Sequence, residues 1–151
     1  MRALIQRAAK GAVRAEGRTV GEIGPGMVVL LGVGKGDSEA DAAYLARKTA
    51  ALRIFADQQG KLNLSLKDTG GAALVISQFT LYADTRRGNR PGFDPAAAPD
   101  EAERLYNRYV SALKAEGLAV ETGVFQAHMQ VEIINDGPVT ILLESPLPAH
   151  K

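Results

Sequence analysis

Residues 27–33 carry no polar side chain. A surface strand alternates apolar and polar residues, whereas a strand covered on both faces reads as a continuous apolar run. Gly24-Pro25-Gly26 marks a turn just before this run. Residues 72–76 form a second run of the same kind and lead directly into Ser77-Gln78-Phe79-Thr80-Leu81.

The remaining elements follow from periodicity and punctuation. Residues 3–9 are predicted to form a first strand, and residues 14–23 a polar strand with a turn at Glu16-Gly17. After a loop at 34–37, Asp37 or Ser38 can cap a helix. Ala42, Leu45, Ala46 and Leu52 recur there at helical spacing, with Thr49 on the same face. Residues 57–68 are rich in turn formers, and residues 84–99 are the least regular stretch. A second helix starts at Pro99 or Asp100, with acids in its first turn, and ends at Gly117. Its apolar stripe is Ala102, Leu105, Tyr106, Tyr109 and Leu113. Three strands are predicted at 118–121, 127–134 and 139–143, the last two joined by a turn at Asn135-Asp136-Gly137-Pro138. Strands outnumber helices and do not alternate with them. The expected class is therefore α+β, a mostly antiparallel sheet or barrel flanked by two helices. A single domain over 1–145 with a frayed tail from 146 to 151 is expected.

Composition removes several classes of function. The chain of 151 residues has no cysteine, so disulfides, zinc thiolates and cysteine nucleophiles are out. A formal net charge of +1 excludes a broad basic coat but allows one local basic patch. Arg2, Gln6, Arg7 and Lys10 interrupt any signal-like run, and no apolar stretch is long enough for a membrane helix, so the expected location is the cytoplasm. Neither histidine suits a catalytic triad. His150 lies in the tail, and His128 shares a strand face with Gln130 and Glu132. No spacing of His, Asp or Glu suggests a metal, and there is no phosphate-binding glycine loop. Neither metal nor cofactor is expected.

A few polar features stand out against this background. Ser77, Gln78, Phe79 and Thr80 follow a buried strand, where backbone N–H groups can face a ligand; the alternative is an ordinary continuation of an edge strand. Residues 135–140 read either as a turn or as a functional motif. Arg7 shares a face with Ala3 and Ile5, so its guanidinium either reaches solvent or meets carbonyls or a carboxylate. Arg86, Arg87 and Arg90 are candidate phosphate contacts or a solvated loop. Phe93 could stack on a base or anchor that loop to the core.

Two of these segments resemble a known family, the D-aminoacyl-tRNA deacylases. Ser77-Gln78-Phe79-Thr80-Leu81 matches its SQxxL pattern, and Asn135-Asp136-Gly137-Pro138-Val139-Thr140 its NxGPVT pattern. The likeness extends from Met1 to Leu143. It includes Gly88-Asn89-Arg90-Pro91-Gly92-Phe93 and Gly123-Val124-Phe125, which look like pocket-lining segments. The resemblance implies the family's fold (DTD-like) and a homodimer. It implies hydrolysis of D-aminoacyl-tRNA, and of glycine mischarged on tRNA(Ala), without DNA or membrane as partner. It places Ser77, Gln78, Phe79 and Thr80 around the terminal adenosine and the ester. It makes Gly137 and Pro138, joined by a cis bond and held by Arg7, a chiral selector inserted into the partner's site. Phe125 and Met129 would complete the substrate pocket, and Arg86, Arg87 and Arg90 would contact tRNA. The tRNA 2′-hydroxyl would assist catalysis, since the chain offers no evident base. The intact Ser77-Gln78 argues against the sister group of animal-type deacylases, in which a different motif replaces SQxxL. Two other readings remain: a tRNA-end binding module without turnover, and a small-molecule esterase with Thr80 as nucleophile.

Overall fold

The computed structural model describes residues 1–146. The chain opens with β1 (Arg2–Ala15), turns at Glu16 and Gly17, and returns as β2 (Arg18–Ile23) before β3 (Gly26–Gly32). The first strand therefore runs well past residue 9, up to the expected turn. Along one edge β1 pairs with β3 in its first half and with β2 in its second. Along the other edge it pairs over its length with β8 (Met129–Glu144). All three pairings are antiparallel.

Beyond β3 the sheet continues with β6 (Ala72–Ser77) and β7 (Ala119–Thr122), both parallel to their neighbours. Helix α1 (Glu39–Ala51) lies in the first of these connections and α3 (Pro99–Ala115) in the second. The α+β class, with a mainly antiparallel sheet and two main helices, holds. One side of the sheet nevertheless alternates strand and helix, because only a long crossover returns a chain to run parallel. The turn-rich stretch before β6 contains a short hairpin of β4 (Phe55–Ala56) and β5 (Leu62–Leu64) and the single turn α2 (Leu66–Thr69).

Burial explains the apolar run. Met27, Val29 and Leu31 point from β3 toward Leu45 of α1 and Leu105, Tyr109 and Leu113 of α3, in one core. Val28 points the other way, with Val13, Ile23, Leu74 and Ile76, into a second core inside the curled sheet. Glycines let that curl close. A Cβ on Gly21 would stand 2.6 Å from the carbonyl oxygen of Thr122, and one on Gly11 would stand 2.7 Å from Val28. A side chain at Gly21 would push β2 away from β7, and one at Gly11 of β1 would crowd Val28 of β3. Between the helices, the Thr49 and Tyr109 hydroxyls share a buried hydrogen bond of 2.8 Å, so neither is orphaned.

The helix ends follow the sequence reading. Ser38 caps α1 and donates its N–H to Asp41 at 2.8 Å. Pro99 opens α3, and Gly117 follows its end at φ 87°. The tail expected from 146 onward falls, apart from Pro146, outside the described residues.

Candidate active site

The sheet stops at Ser77. Gln78 donates its N–H to the Leu31 carbonyl at 2.8 Å, and the chain then leaves the sheet as a single 3-10 turn, Phe79–Tyr82. This segment is therefore not a continuing edge strand. The first N–H groups of such a turn have no acceptor within it. The Gln78 side-chain amide donates to the Thr80 hydroxyl, and Phe79 is 56% exposed despite its size.

This turn borders a cavity of about 510 Å³. Ser77 and Phe79 form one wall, Phe93 another, and Pro99 and Ala102 at the start of α3 a third. Phe125, Gln126 and Met129 close it from the stretch between β7 and β8. Phe79 and Phe93 meet edge to face with centroids 4.9 Å apart. Residues 127–128 do not belong to the last strand as expected. They complete a turn closed by the Ala127 N–H on the Val124 carbonyl, in which Gln126 adopts φ 63°. A left-handed glutamine in a cavity wall is backbone held by its surroundings. Tyr106 of α3 supports this wall. Its hydroxyl donates to the Val75 carbonyl at 2.7 Å, and its ring lies 6.2 Å from that of Phe125. Burial pushes the Tyr106 phenol up to about 12, so it stays a neutral donor. The Gly123 N–H donates to the same carbonyl, joining β6 to the segment that carries Phe125. No residue of the lining is a carboxylate, histidine, lysine or cysteine.

The second motif is not a turn between two strands. Its two flanks are collinear parts of β8, both antiparallel to β1. Gln6 pairs with Thr140 and Ala8 with Asn135, so residues 136–139 bulge outward opposite the single residue Arg7. A bulge on an edge strand is one of the few places in a sheet that accept proline. Asn135 staples the bulge at its base. Its side-chain oxygen accepts the Val139 N–H at 2.8 Å, and its amide donates to the Val139 carbonyl at 3.1 Å. Arg7 braces it from β1, donating to the carbonyls of Asp136 at 2.7 Å and Ile54 at 2.8 Å. The guanidinium thus meets carbonyls rather than solvent, and its side chain is only 15% exposed. The Gly137-Pro138 bond is cis.

The sequence-predicted residues therefore fall into three places. Ser77, Phe79, Phe125 and Met129 line the cavity, with the Gln78–Thr80 pair on the adjoining turn. Arg7, Gly137 and Pro138 form a separate constellation that does not line the cavity of their own chain. Arg86, Arg87 and Arg90 are exposed on a loop whose foot is closed by paired hydrogen bonds between Asp84 and Gly92. Sequence reasoning missed Gln126, Pro99 and the wall made by Ala96, Ala97 and Ala102. The run of small residues before α3 was the available signal, since small side chains leave room. His128 is exposed. Among the described residues no three His, Asp or Glu side chains gather as metal ligands.

A curled sheet backed by two helices thus carries, at the end of β6, a cavity lined by apolar and small polar side chains. The family model described as D-Tyr-tRNA(Tyr) deacylase matches residues 4–144, and the chain belongs to that family. It is 59% identical over 145 residues to the D-aminoacyl-tRNA deacylase of Symbiobacterium thermophilum, covering 96% of each chain. It is 62% identical over 144 residues to that of Heliobacterium modesticaldum, covering 95% of this chain and 96% of the relative. Among solved structures, the c-Myc DNA unwinding element binding protein matches with a TM-score of 0.91 at 39% identity, over 97% of this chain and 100% of its own. A probable eukaryotic D-amino acid tRNA deacylase matches with a TM-score of 0.78 at 16% identity, over 95% of this chain and 98% of its own, and shares the fold.

Proposed function

We propose that this protein hydrolyses D-aminoacyl-tRNA, releasing the D-amino acid and free tRNA, and that it acts in the cytoplasm as a homodimer. The observation that carries the reading, beside family membership, is a cavity whose lining holds no acid or base. Ester hydrolysis there needs an activated water and donors for the oxyanion of the tetrahedral intermediate. The tRNA 2′-hydroxyl, adjacent to the ester, assists the water. The N–H groups of Phe79 and Thr80, at the head of the 3-10 turn, stabilise the oxyanion. Ser77, Phe125 and Met129 hold the terminal adenosine and the aminoacyl group, and Gln78 fixes the turn through Thr80. A Thr80 nucleophile is disfavoured because its hydroxyl is held by the Gln78 amide, which cannot take a proton.

Chiral selection is assigned to Gly137 and Pro138 of the other subunit. Two observations support this. The bulge lies away from the cavity of its own chain, and among the described residues β8 pairs only with β1, leaving its outer edge open. Ile134 and Leu142 on that strand are each 50% exposed. A second copy placed there would cover an open edge of the kind proteins otherwise protect. Backbone of the inserted motif, oriented by Arg7, fills the space an L side chain needs. Glycine has no side chain to exclude, so glycine mischarged on tRNA(Ala) is also a substrate. Arg86, Arg87 and Arg90 serve the tRNA.

A deacylation time course on D-Tyr-tRNA and L-Tyr-tRNA, at enzyme well below substrate, tests this. Many turnovers on the D form with the L form spared are expected. Equal rates would strip Gly137 and Pro138 of their role, and no release would leave a tRNA-end binder. Full activity on a 2′-deoxy terminal adenosine would sink the RNA-assisted step. The structural relative named for a DNA element raises DNA binding as a second reading. A cavity sized for a chain terminus favours the tRNA end, and failure of duplex DNA to compete is the expected result.

A further inference from the structure

The segment 79–93 leaves the cavity rim at Phe79 and returns to it at Phe93, and these two rings touch. Between them the chain forms a hairpin-like loop. Its foot is the Asp84–Gly92 pair, with N–H to carbonyl bonds of 2.8 and 2.9 Å in both directions. Its tip holds three arginines within five positions, Arg86, Arg87 and Arg90, all exposed. The three are not equivalent. Arg86 is clamped by Asp84 through two parallel bonds, Nε at 2.8 Å and Nη2 at 2.7 Å, while Asp84 also accepts the Arg86 backbone N–H at 3.0 Å. The Arg86 side-chain bonds, followed by its backbone bond, hold the Asp84 carboxyl well below the usual carboxylate range, so the clamp stays ionised at neutral pH. Among the described residues Arg87 and Arg90 make no ion pair.

Resting on the deacylase reading, we infer that this loop divides its labour: the Asp84–Arg86 clamp sets the tip beside the cavity mouth, and Arg87 and Arg90 alone neutralise phosphates of the single-stranded 3′ end that leads into the cavity. Arg86 brings its own counter-charge and releases few ions on binding, so it is a positioning residue. Arg87 and Arg90 face solvent on the loop that leaves and rejoins the rim of the cavity, where a strand whose last nucleotide occupies that cavity would pass. Each phosphate neutralised on a single strand contributes about 0.7 to the slope of log affinity against log salt. The number of such contacts is therefore countable.

The experiment measures kcat/KM for D-Tyr-tRNA across a salt series in the full-length protein and its variants. Arg87→Gln and Arg90→Gln should each raise KM several-fold and flatten the slope by about 0.7, and the double variant by about 1.4. Arg86→Gln and Asp84→Asn should raise KM while leaving the slope as it was, because they misplace the tip without removing a phosphate contact. Arg18→Gln, at the exposed start of β2, should change neither and controls for net charge. A merely structural role for the loop would move melting temperature, not the slope. Unchanged slopes in Arg87→Gln and Arg90→Gln, or equal flattening in Arg86→Gln or Arg18→Gln, overturn the division. A wild-type protein that releases nothing from D-Tyr-tRNA at any salt overturns the deacylase reading instead.

Discussion

Strands β3 and β8 flank the same central strand and could hardly differ more. β3 is buried at six of seven positions, with helices on one face and the sheet interior on the other. β8 is more than twice as long, yet none of its residues is fully buried, and it breaks into a bulge at its middle. The first is a strand on which the fold depends. The second carries exposed apolar residues, Ile134 and Leu142, and a Gly-Pro bulge. If the proposed role of the bulge holds, stability and recognition lie on opposite sides of one spine, and variants on each side should separate them.

The largest expected effect is on the buried side. Leu31→Ala should cost about 2–5 kcal/mol in urea unfolding, the range for a truncated core leucine, while folded molecules keep their specific activity. On the bulge the pattern should invert. A Cβ on Gly137, at φ 150°, would stand 2.8 Å from the Val139 nitrogen and 3.2 Å from the Arg7 guanidinium. Gly137→Ala should therefore lower deacylation by about 10²-fold, the scale of an ångström's misplacement in a site, a larger loss than the drop in unfolding midpoint that the strained Cβ itself brings. Intact activity in that variant would remove the bulge from the mechanism.

Between these lies the cavity wall. The Tyr106 phenol is raised by burial from 10.0 to about 12, so the folded state holds its proton more tightly than the unfolded chain does. That contribution is fully present below about pH 10 and is lost as pH rises through about 12. Urea midpoints measured between pH 9 and 12 should fall, and fall less in Tyr106→Phe. The smallest effect is expected at Leu142. In dilute monomer, Leu142→Ala should change stability by no more than about 0.5 kcal/mol. A larger loss that grows with protein concentration would show that the β8 face is covered in solution by a second copy, sharpening the contrast into a test of the proposed dimer.

Much of this was legible beforehand, for identifiable reasons. The run at 27–33 announced a strand covered twice, because alternate residues face different cores. Asp37-Ser38, Pro99-Asp100 and Gly117 announced helix ends to within a residue, because caps and breakers act locally. The site was legible only through its motifs. Residues 135–138 look like a turn, since Gly and Pro break strands wherever a strand must donate hydrogen bonds. What makes them a bulge is the collinear pairing of both flanks with β1 and the brace from Arg7, neither of which is local. The wall at Ala96, Ala97 and Ala102 was silent because small apolar side chains carry no chemistry and matter only by the space they leave.

By itself, then, the sequence determined which strands must be buried, where the two main helices begin, and that no cysteine could do the chemistry, because these follow from side-chain character and short-range geometry. Only the tertiary structure decided that Arg7 faces two carbonyls, that Ser77, Phe93 and Phe125 share one cavity, and that the Gly-Pro bulge stands apart from it. Those are contacts between residues far apart in the chain, and the curl and pairing of the sheet, not any local preference, bring them together or keep them separate.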